Sequence, residues 1–205
     1  MNAITRYGAT LADLEQLVAA RGEPRFRARQ LHEGLFEQRR PLESLTNVPK
    51  RLRDELAAAL PLALTVVTEQ HADDDTTVKW LWRTSDGAQI ETVLMRYRDR
   101  ATVCVSSQAG CAMGCTFCAT GQAGFERHLD AGEIVEQVVR AQHASPQRVS
   151  NVVFMGMGEP LANVDAVCAA LERLHDDFGL SARHLTVSTV GVVPGMHRLA
   201  QRLRQ

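Results

Sequence analysis

Three cysteines in one short segment are the residues of this sequence best suited to chemistry. Cys111, Cys115 and Cys118 follow the spacing C-x3-C-x2-C in a stretch rich in glycine and other small residues. Three thiolates do not complete a tetrahedral zinc site on their own, although His128 is available as a fourth ligand. They also suit a [4Fe–4S] cube with one iron left open for a substrate, since electron-transfer cubes use four cysteines. The spacing therefore predicts a metal-binding loop that is compatible with either metal group.

The two other cysteines stand apart from this loop. Cys104 lies in a strand-like segment, and Cys168 shares the apolar side of a predicted helix with Val164 and Leu171. An odd number of cysteines without a signal peptide argues against a disulfide framework. From the residues alone, both cysteines are interpreted as core residues.

Composition limits the class of protein. The chain has 205 residues, of which 45% are apolar and 23% charged, and its net charge is -1. These values suit one or two globular domains and exclude a disordered tail or a histone-like protein, but a local basic face for nucleic acid remains possible. No apolar run approaches the roughly 20 residues that cross a bilayer, and residues 1–7 lack the apolar core of a signal peptide. We expect a cytoplasmic protein with no membrane partner.

Residues 1–62 form the first predicted unit, which is helical. Thr10 is placed to cap a helix that stops at Gly22, a second helix is predicted over 26–38, and Pro49 suits the first position of a third. The basic residues of this unit are Arg25, Arg27, Arg29, Arg39, Arg40, Lys50, Arg51 and Arg53. They form either solvated helix faces or a surface that touches a phosphate backbone, and the sequence leaves both open.

Residues 63–102 change to a period of two. The segments 77–83 and 89–97 flank the turn signal Ser85-Asp86-Gly87 and predict a β-hairpin. Glu91 lies in the second strand of this hairpin, where alternation alone makes it an outward-facing residue. The run Asp73 to Asp75 predicts a solvated turn rather than a metal site.

Residues 103–205 alternate strands and helices. The predicted strands are 103–107, 151–157 and 184–191. The predicted helices run from the Asp130–Glu133 capping box to His143, from an Asn163 cap to Leu174, and from Gly195 to Gln205. Three βα units in succession predict a parallel sheet with right-handed crossovers, and the third strand would leave an exposed edge.

Three motifs resemble the RlmN/Cfr family of radical S-adenosylmethionine (SAM) RNA adenine methyltransferases. They are CVSSQAGCAMGCTFCATGQAGF (104–125), NVVFMGMGEPLANVD (151–165) and LTVSTVGVVPGM (185–196). The resemblance implies an α/β fold, in which an N-terminal helical domain and a β-hairpin precede an incomplete (βα)6 radical SAM partial barrel with about three βα units. It assigns 1–62 to an accessory domain that contacts RNA, 63–102 to a connecting hairpin and 103–205 to the first half of the barrel.

The resemblance also implies the cofactors. Cys111, Cys115 and Cys118 would hold a [4Fe–4S] cluster whose open iron takes the amino and carboxylate groups of SAM. One electron, from a donor such as flavodoxin, would then cleave SAM to methionine and a 5′-deoxyadenosyl radical. The other expected cofactor contacts are Phe117, Gly158, Glu159 and Ser188.

Physical arguments support part of this set. Met157-Gly158 ends a predicted parallel strand, and ligands of such sheets lie at the carboxyl ends of the strands. Glycine permits close backbone approach there, and Glu159 can accept a hydrogen bond from a ligand ammonium group. The alternatives are a plain loop carboxylate for Glu159 and, for Ser188, a strand serine that bonds to the backbone.

Two catalytic residues follow from the resemblance. Glu91 matches the general base of the family, a role that suits a carboxylate in an apolar strand. Cys104 matches the cysteine that helps to resolve a protein–RNA adduct through a transient disulfide bond with a second, methyl-carrying cysteine. No cysteine follows Cys168, and a cysteine on a helix outside the sheet is a poor substitute for the methyl carrier.

Because the methyl-carrying cysteine is missing, the sequence is compatible with several functions. The sequence predicts the N-terminal part of a longer monomeric enzyme that methylates C2 of adenine in 23S rRNA and tRNA. The alternatives are an inactive fragment that binds cluster, SAM and RNA, and an adenine C8 methyltransferase of the Cfr type. Another radical SAM enzyme, such as an activase or dehydrogenase, is disfavoured by the hairpin and by the GMGEP segment. We expect the polypeptide alone to transfer no methyl group to RNA.

Overall fold

The computed structural model describes residues 4–72 and 74–203 of the chain. Residues 1–3, Asp73 of the predicted acidic turn and residues 204–205 of the last predicted helix lie outside the described ranges. The helices are α1 (Leu11–Ala19), α2 (Phe26–His32), α3 (Lys50–Ala59), α4 (Ala119–Ala123), α5 (Ala131–His143), α6 (Val164–Asp176) and α7 (Val193–Arg202). The strands are β1 (Leu64–His71), β2 (Thr77–Thr84), β3 (Gln89–Arg96), β4 (Ala101–Cys104), β5 (Gln108–Gly110), β6 (Phe125–His128), β7 (Val149–Phe154) and β8 (Leu185–Val187).

The N-termini of the helices show which of the helix caps predicted from the sequence are correct. Thr10 caps α1 as predicted, and the structure adds a capping box with Asp13; Asp130 and Glu133 form the predicted capping box at α5. The prediction at Pro49 was wrong, whereas Asn163 takes the predicted cap position of α6 but makes no side-chain hydrogen bond to that helix. Pro49 has ψ of 138° and precedes α3 as its cap residue, so the helix begins one residue later.

The Asn163 side chain does not cap α6, because it is used elsewhere in the fold. Its Nδ2 atom donates to the carbonyl oxygens of Ser107 at 2.9 Å and Leu129 at 2.7 Å. A short 3-10 turn, Pro160–Asn163, leads into α6 instead. The second helix also differs from the prediction, because α2 ends at His32 and continues as a π-helical turn over Glu33–Glu37.

A six-stranded sheet in the order β1-β2-β3-β4-β7-β8 organises the fold. The β2–β3 hairpin is confirmed, with Thr77 opposite Met95 and Arg83 opposite Gln89. β4 pairs antiparallel with β3 and parallel with β7, while β8 pairs parallel with β7 and forms the outer edge. The predicted α/β architecture is therefore confirmed, and the hairpin continues directly into the parallel strands.

The three parallel strands are shorter than predicted, because the chain leaves the sheet to build loops at their carboxyl ends. β4 ends at Cys104, β7 at Phe154 and β8 at Val187. After β7, the Gly156 amide bonds to the Val105 carbonyl at 3.1 Å, so this loop folds over the end of β4. The residues that the sequence assigned to strand ends therefore lie in loops.

The sheet has two different faces. Alternate residues of β3, β4 and β7, including Ile90, Leu94, Val103 and Val152, are fully buried in one continuous core with α5, α6 and the N-terminal helices. The intervening residues are only half-buried, and we call their side of the sheet the open face; it carries Lys79, Glu91, Val93, Cys104 and Val153. Within residues 4–72 and 74–203, no helix has the length and apolar character that a membrane crossing requires.

Candidate active site

A two-stranded ribbon fixes the cysteine loop at its base. β5 and β6 pair antiparallel, and the loop and α4 lie between them. The Cys111 amide donates to the Gly124 carbonyl at 2.8 Å. Gly110 has φ of 71°, and a Cβ atom there would lie 2.0 Å from the Gly124 oxygen, so only glycine fits. We did not predict this ribbon from the sequence, although Gly110 and Gly124, which flank the cysteine loop and meet at one end of the ribbon, were a usable signal.

The three loop cysteines face a common cavity of about 370 Å³. All three are free thiols with half-buried side chains. The opposite wall comes from the carboxyl ends of β7 and β8, including Met155, Gly156 and residues 188–190. The predicted cofactor residues that meet in this cavity are Cys111, Cys115, Cys118, Phe117, Gly158, Glu159 and Ser188.

The donor set fits an iron–sulfur cube better than zinc. Among the described residues, no three His, Cys, Asp or Glu side chains are arranged to hold one metal ion. A tetrahedral zinc site with bonds near 2.3 Å needs its sulfurs only about 3.8 Å apart, whereas each thiolate of a cube binds its own iron. His128 does not line this cavity, and its Nδ1 atom lies 3.0 Å from Nε2 of Gln108.

Glycines allow the loop after β7 to pack closely against residues 105–108, which precede the cysteine loop. Gly158 has φ of 98°, and a Cβ atom there would lie 2.5 Å from the Cβ of Gln108. A Cβ atom at Gly156 would lie 2.8 Å from Oγ of Ser106. Any side chain at either position would push the loop after β7 away from residues 105–108.

Glu159 holds the cavity together through its own chain contacts. Its side chain is buried, Oε1 accepts from the Leu161 amide at 2.9 Å and Oε2 accepts from the Val190 amide at 2.8 Å. The Glu159 amide donates to Oε1 of Gln108 at 2.8 Å. The carboxylate thus joins the loops after β7 and β8, and its predicted contact with SAM stays a prediction.

Ser188 and Phe117 lie on opposite walls of the cavity. Ser188 directly follows β8, is exposed, and makes no side-chain hydrogen bond to any other described residue. That observation gives no support to the alternative of a backbone-bonded strand serine. The Phe117 ring is 91% exposed next to Cys118, which leaves it free to cover a bound group.

Glu91 and Cys104 lie on the open face of the sheet rather than among the residues that line the cysteine cavity. Cys104 is directly opposite Val93, and Glu91 is two residues from Val93 on the same face. The Glu91 carboxylate is 43% exposed and lies 3.1 Å from the Lys79 ammonium. Burial raises the pKa of the Cys104 thiol. We did not single out Lys79 from the sequence, although alternation along the hairpin places it on the same face as Glu91.

Cys168 is a core residue, as predicted from its helix face. Its side chain is buried against Leu161 and Val164, and burial raises the pKa of the thiol. All five cysteines are free thiols. The transient disulfide bond expected of Cys104 involves a methyl-carrying cysteine that is not one of these five, so it stays a prediction.

Most basic residues of the helical segment contact their own chain. Arg25 pairs with Glu15, and Arg51 pairs with Glu23 and Glu55. Four more arginines donate to backbone carbonyl groups: Arg27 to Asn47, Arg39 to Phe178, Arg40 to Ser44 and Arg53 to Glu43. These contacts stabilise the loops of the segment, and contact with RNA stays a prediction.

Comparisons with known proteins agree with this geometry. A family profile described as "Radical SAM superfamily" matches residues 105–205. A protein of Salinispora tropica named "Probable dual-specificity RNA methyltransferase RlmN" is 52% identical to this chain, over 93% of this chain and 55% of the relative. Proteins of the same name from Streptomyces griseus and Chloroflexus aurantiacus are 50% and 51% identical, over 93% and 95% of this chain and 56% and 54% of theirs. The chain thus spans about half the length of the curated relatives it matches.

Comparison with a solved structure agrees with the sequence comparisons. The crystal structure of a radical SAM methyltransferase from Sphaerobacter thermophilus matches this chain with a TM-score of 0.88 and 48% sequence identity, over 97% of this chain and 60% of that one. The profile match includes the cysteine loop and both strand ends that form the cavity. The chain belongs to the radical SAM superfamily and, within it, to the RlmN family.

Proposed function

We propose that this chain supplies the cofactor cavity of an enzyme that methylates C2 of adenine in 23S rRNA and tRNA. One observation carries the proposal: three free thiols share a cavity with the glycine-containing segment after β7 and with residues 188–190 after β8. The relatives of similar sequence have a name that describes dual-specificity RNA methyltransferases. The target position on adenine, C2, rests on the overall resemblance of the three motifs.

The residues that would hold the cofactors follow from the cavity. Cys111, Cys115 and Cys118 would bind a [4Fe–4S] cluster, and Gly158 and Ser188 would contact SAM. When bound, cluster and SAM together supply a 5′-deoxyadenosyl radical. Phe117 would cover the cavity from the loop side and keep water away from the reacting groups.

The open face would carry the remaining chemistry. Glu91 would accept a proton from the substrate, and Lys79 holds a positive charge beside that carboxylate. The Cys104 thiol would help to release the RNA through a transient disulfide bond with a methyl-carrying cysteine. We propose that this carrier is not Cys168, because its thiol is buried in the core.

The expected partners complete the proposal. They are 23S rRNA and tRNA as substrates and an electron donor such as flavodoxin. The helical segment 1–62 would contact RNA as an accessory domain, 63–102 would connect it to the barrel, and 103–205 would form the first part of the barrel. We propose that the enzyme works in the cytoplasm as a monomer.

The test is anaerobic reconstitution of the full-length protein with iron and sulfide, followed by SAM, a reductant and either RNA. We expect a brown protein absorbing near 400 nm, an approximate value for iron–sulfur ligation. Nucleosides from the digested RNA are then identified by mass spectrometry, and we expect 2-methyladenosine. Formation of 8-methyladenosine would assign the Cfr-type reaction instead. A colourless protein with one zinc ion per chain and no cleavage of SAM would overturn the proposal.

A further inference from the structure

Ser106 occupies the point where the sheet and the cofactor cavity meet. It lies between the end of β4 and the start of β5, and its side chain is fully buried. Its hydroxyl group donates to the Glu91 carbonyl at 2.6 Å and accepts from the Met157 amide at 2.9 Å. One hydroxyl group therefore joins the strand that carries Glu91 to the loop that lines the cavity.

The neighbours of Ser106 extend this connection. The amides of Ser107 and Gln108 both donate to the Met157 carbonyl, at 2.9 and 3.2 Å. The Gly156 backbone packs against Ser106 so closely that a Cβ atom at Gly156 would lie 2.8 Å from the hydroxyl oxygen. The loop after β7 is thus held along its length by residues 106–108, with the Ser106 hydroxyl at the end nearest Glu91.

Gln137 of α5 holds Ser106 in place from the core. Its Oε1 accepts from the Ser106 amide at 2.8 Å, and its Nε2 donates to the Ser106 carbonyl at 3.0 Å. The same Oε1 accepts from the Thr92 hydroxyl, which in turn accepts from the indole nitrogen of Trp82. A fully paired polar network inside an apolar core fixes a single arrangement of the groups it connects.

We propose that Ser106 is a positioning residue that fixes the loop Gly156–Glu159 relative to Glu91. This inference rests on the proposed function, since it assumes that SAM binds in the cavity and that Glu91 acts on the substrate. Ser106 is fully buried and does not line the cavity, so it would contact neither the cofactor nor the RNA. Its hydroxyl group instead fixes the distance between Glu91 and the loop Gly156–Glu159, because it bonds to the Glu91 carbonyl on one side and to the Met157 amide on the other.

The first test compares Ser106→Ala with wild type in the reconstituted full-length protein. Loss of two buried hydrogen bonds should raise the KM for SAM about tenfold, while kcat for SAM cleavage at saturating SAM stays within about twofold. The yield of methylated adenine per SAM cleaved should fall about tenfold, because Glu91 is no longer held in register with the cavity. Iron content should equal that of wild type.

Thr84→Val is the matched control. Thr84 is also buried, and its hydroxyl donates to Asp86 and to the Ala88 carbonyl in the hairpin turn, away from the cavity. It should lower the melting temperature but leave the KM for SAM and the methylation yield unchanged. Equal KM and equal yield in Ser106→Ala, beside an active wild type, would overturn the positioning role alone. A wild-type protein that does not cleave SAM would overturn the proposed function and the positioning role with it.

Hydrogen exchange of the wild-type protein tests the same link without a mutation, and decides the case if Ser106→Ala does not fold. Addition of SAM should slow exchange in peptides covering 154–160 and also in peptides covering 89–93. Protection confined to 154–160 would show that the cavity is not connected to Glu91, and would overturn the proposal.

Discussion

The two faces of the six-stranded sheet differ in burial, and under the proposed function only the open face carries reactive groups. On the covered face, Leu94 and Val103 are fully buried against helices. The polar groups there are internally paired; Gln137, for example, is bonded to Ser106 and Thr92. On the open face, Glu91 and Cys104 are half-buried, and Cys104 lies opposite Val93, two residues along β3 from Glu91.

One strand, β3, contributes side chains to both faces. Successive residues of β3 point to opposite faces, so Leu94 packs into the core while Glu91 and Val93 lie on the open face. Packing on the covered face would hold the backbone in place, so that Glu91 and Cys104, the proposed reactive groups, have defined positions without being buried. Four predictions test how strictly the two faces are separated, and they follow in order of decreasing effect.

Cys115→Ala should abolish the cofactor, whereas Cys168→Ala should not. The first variant removes one of three thiols that share the cavity, and the second removes a buried core thiol. We expect iron content, absorbance near 400 nm (approximate for such clusters) and SAM cleavage to fall to background only for Cys115→Ala. A Cys168→Ala protein that folds but loses its iron would contradict the assignment of cluster ligands.

Glu91→Gln should lower methyl transfer about 100- to 10,000-fold, the usual range for loss of a general base. The KM for SAM should stay unchanged, because Glu91 does not line the cysteine cavity. Methylated adenine and 5′-deoxyadenosine are measured in the same reaction. Glu172→Gln is the control, since Glu172 pairs with Arg202 on the outer helices. Equal rates in the two variants would remove Glu91 from the mechanism.

Leu94→Ala should destabilise the protein by about 2–5 kcal/mol, the usual cost of truncating a buried leucine. Val93→Ala, one residue away on the open face, should cost no more than about 1 kcal/mol because that side chain is only half-buried. Urea unfolding of both variants gives the two values. Similar losses would mean that the open face is packed as tightly as the core.

Glu136→Gln should flatten the dependence of stability on pH. Burial raises the pKa of Glu136 to about 7, even though the amides of Ala63 and Leu64 donate to the carboxylate and oppose that shift. A carboxyl group whose pKa is higher in the folded than in the unfolded protein contributes stability that is fully present below its unfolded pKa, here 4.5. This contribution is lost as the pH rises through about 7. Wild type should therefore lose roughly 1–3 kcal/mol from this group between pH 5 and pH 8.

Urea unfolding at several pH values measures this effect, and Glu172→Gln again serves as the exposed control. The Glu136→Gln protein should show a smaller loss of stability on raising the pH, while the control should follow wild type. The same pH dependence in all three proteins would show that Glu136 stays ionised in the core, stabilised by its two amide donors.

The sequence predicted the features that depend on neighbouring residues. The caps at Thr10 and Asp130 and the hairpin around Asp86 lie within short segments whose chemistry is visible in their own residues. It failed where a side chain serves a distant partner. Asn163 suits a helix cap, but its amide donates to Ser107 and Leu129, which are 56 and 34 residues away.

The sequence by itself therefore determined the α/β class, the cysteine loop and the family to which the chain belongs. Tertiary structure alone decided that Glu159 ties together the loops around Gln108 and Val190, that Lys79 lies beside Glu91, and that Ser106 joins Glu91 to the cavity. The physical reason is the separation along the chain between the interacting residues. Periodicity, capping and ligand spacing act over a few residues, whereas these contacts exist only after the sheet register brings distant segments together.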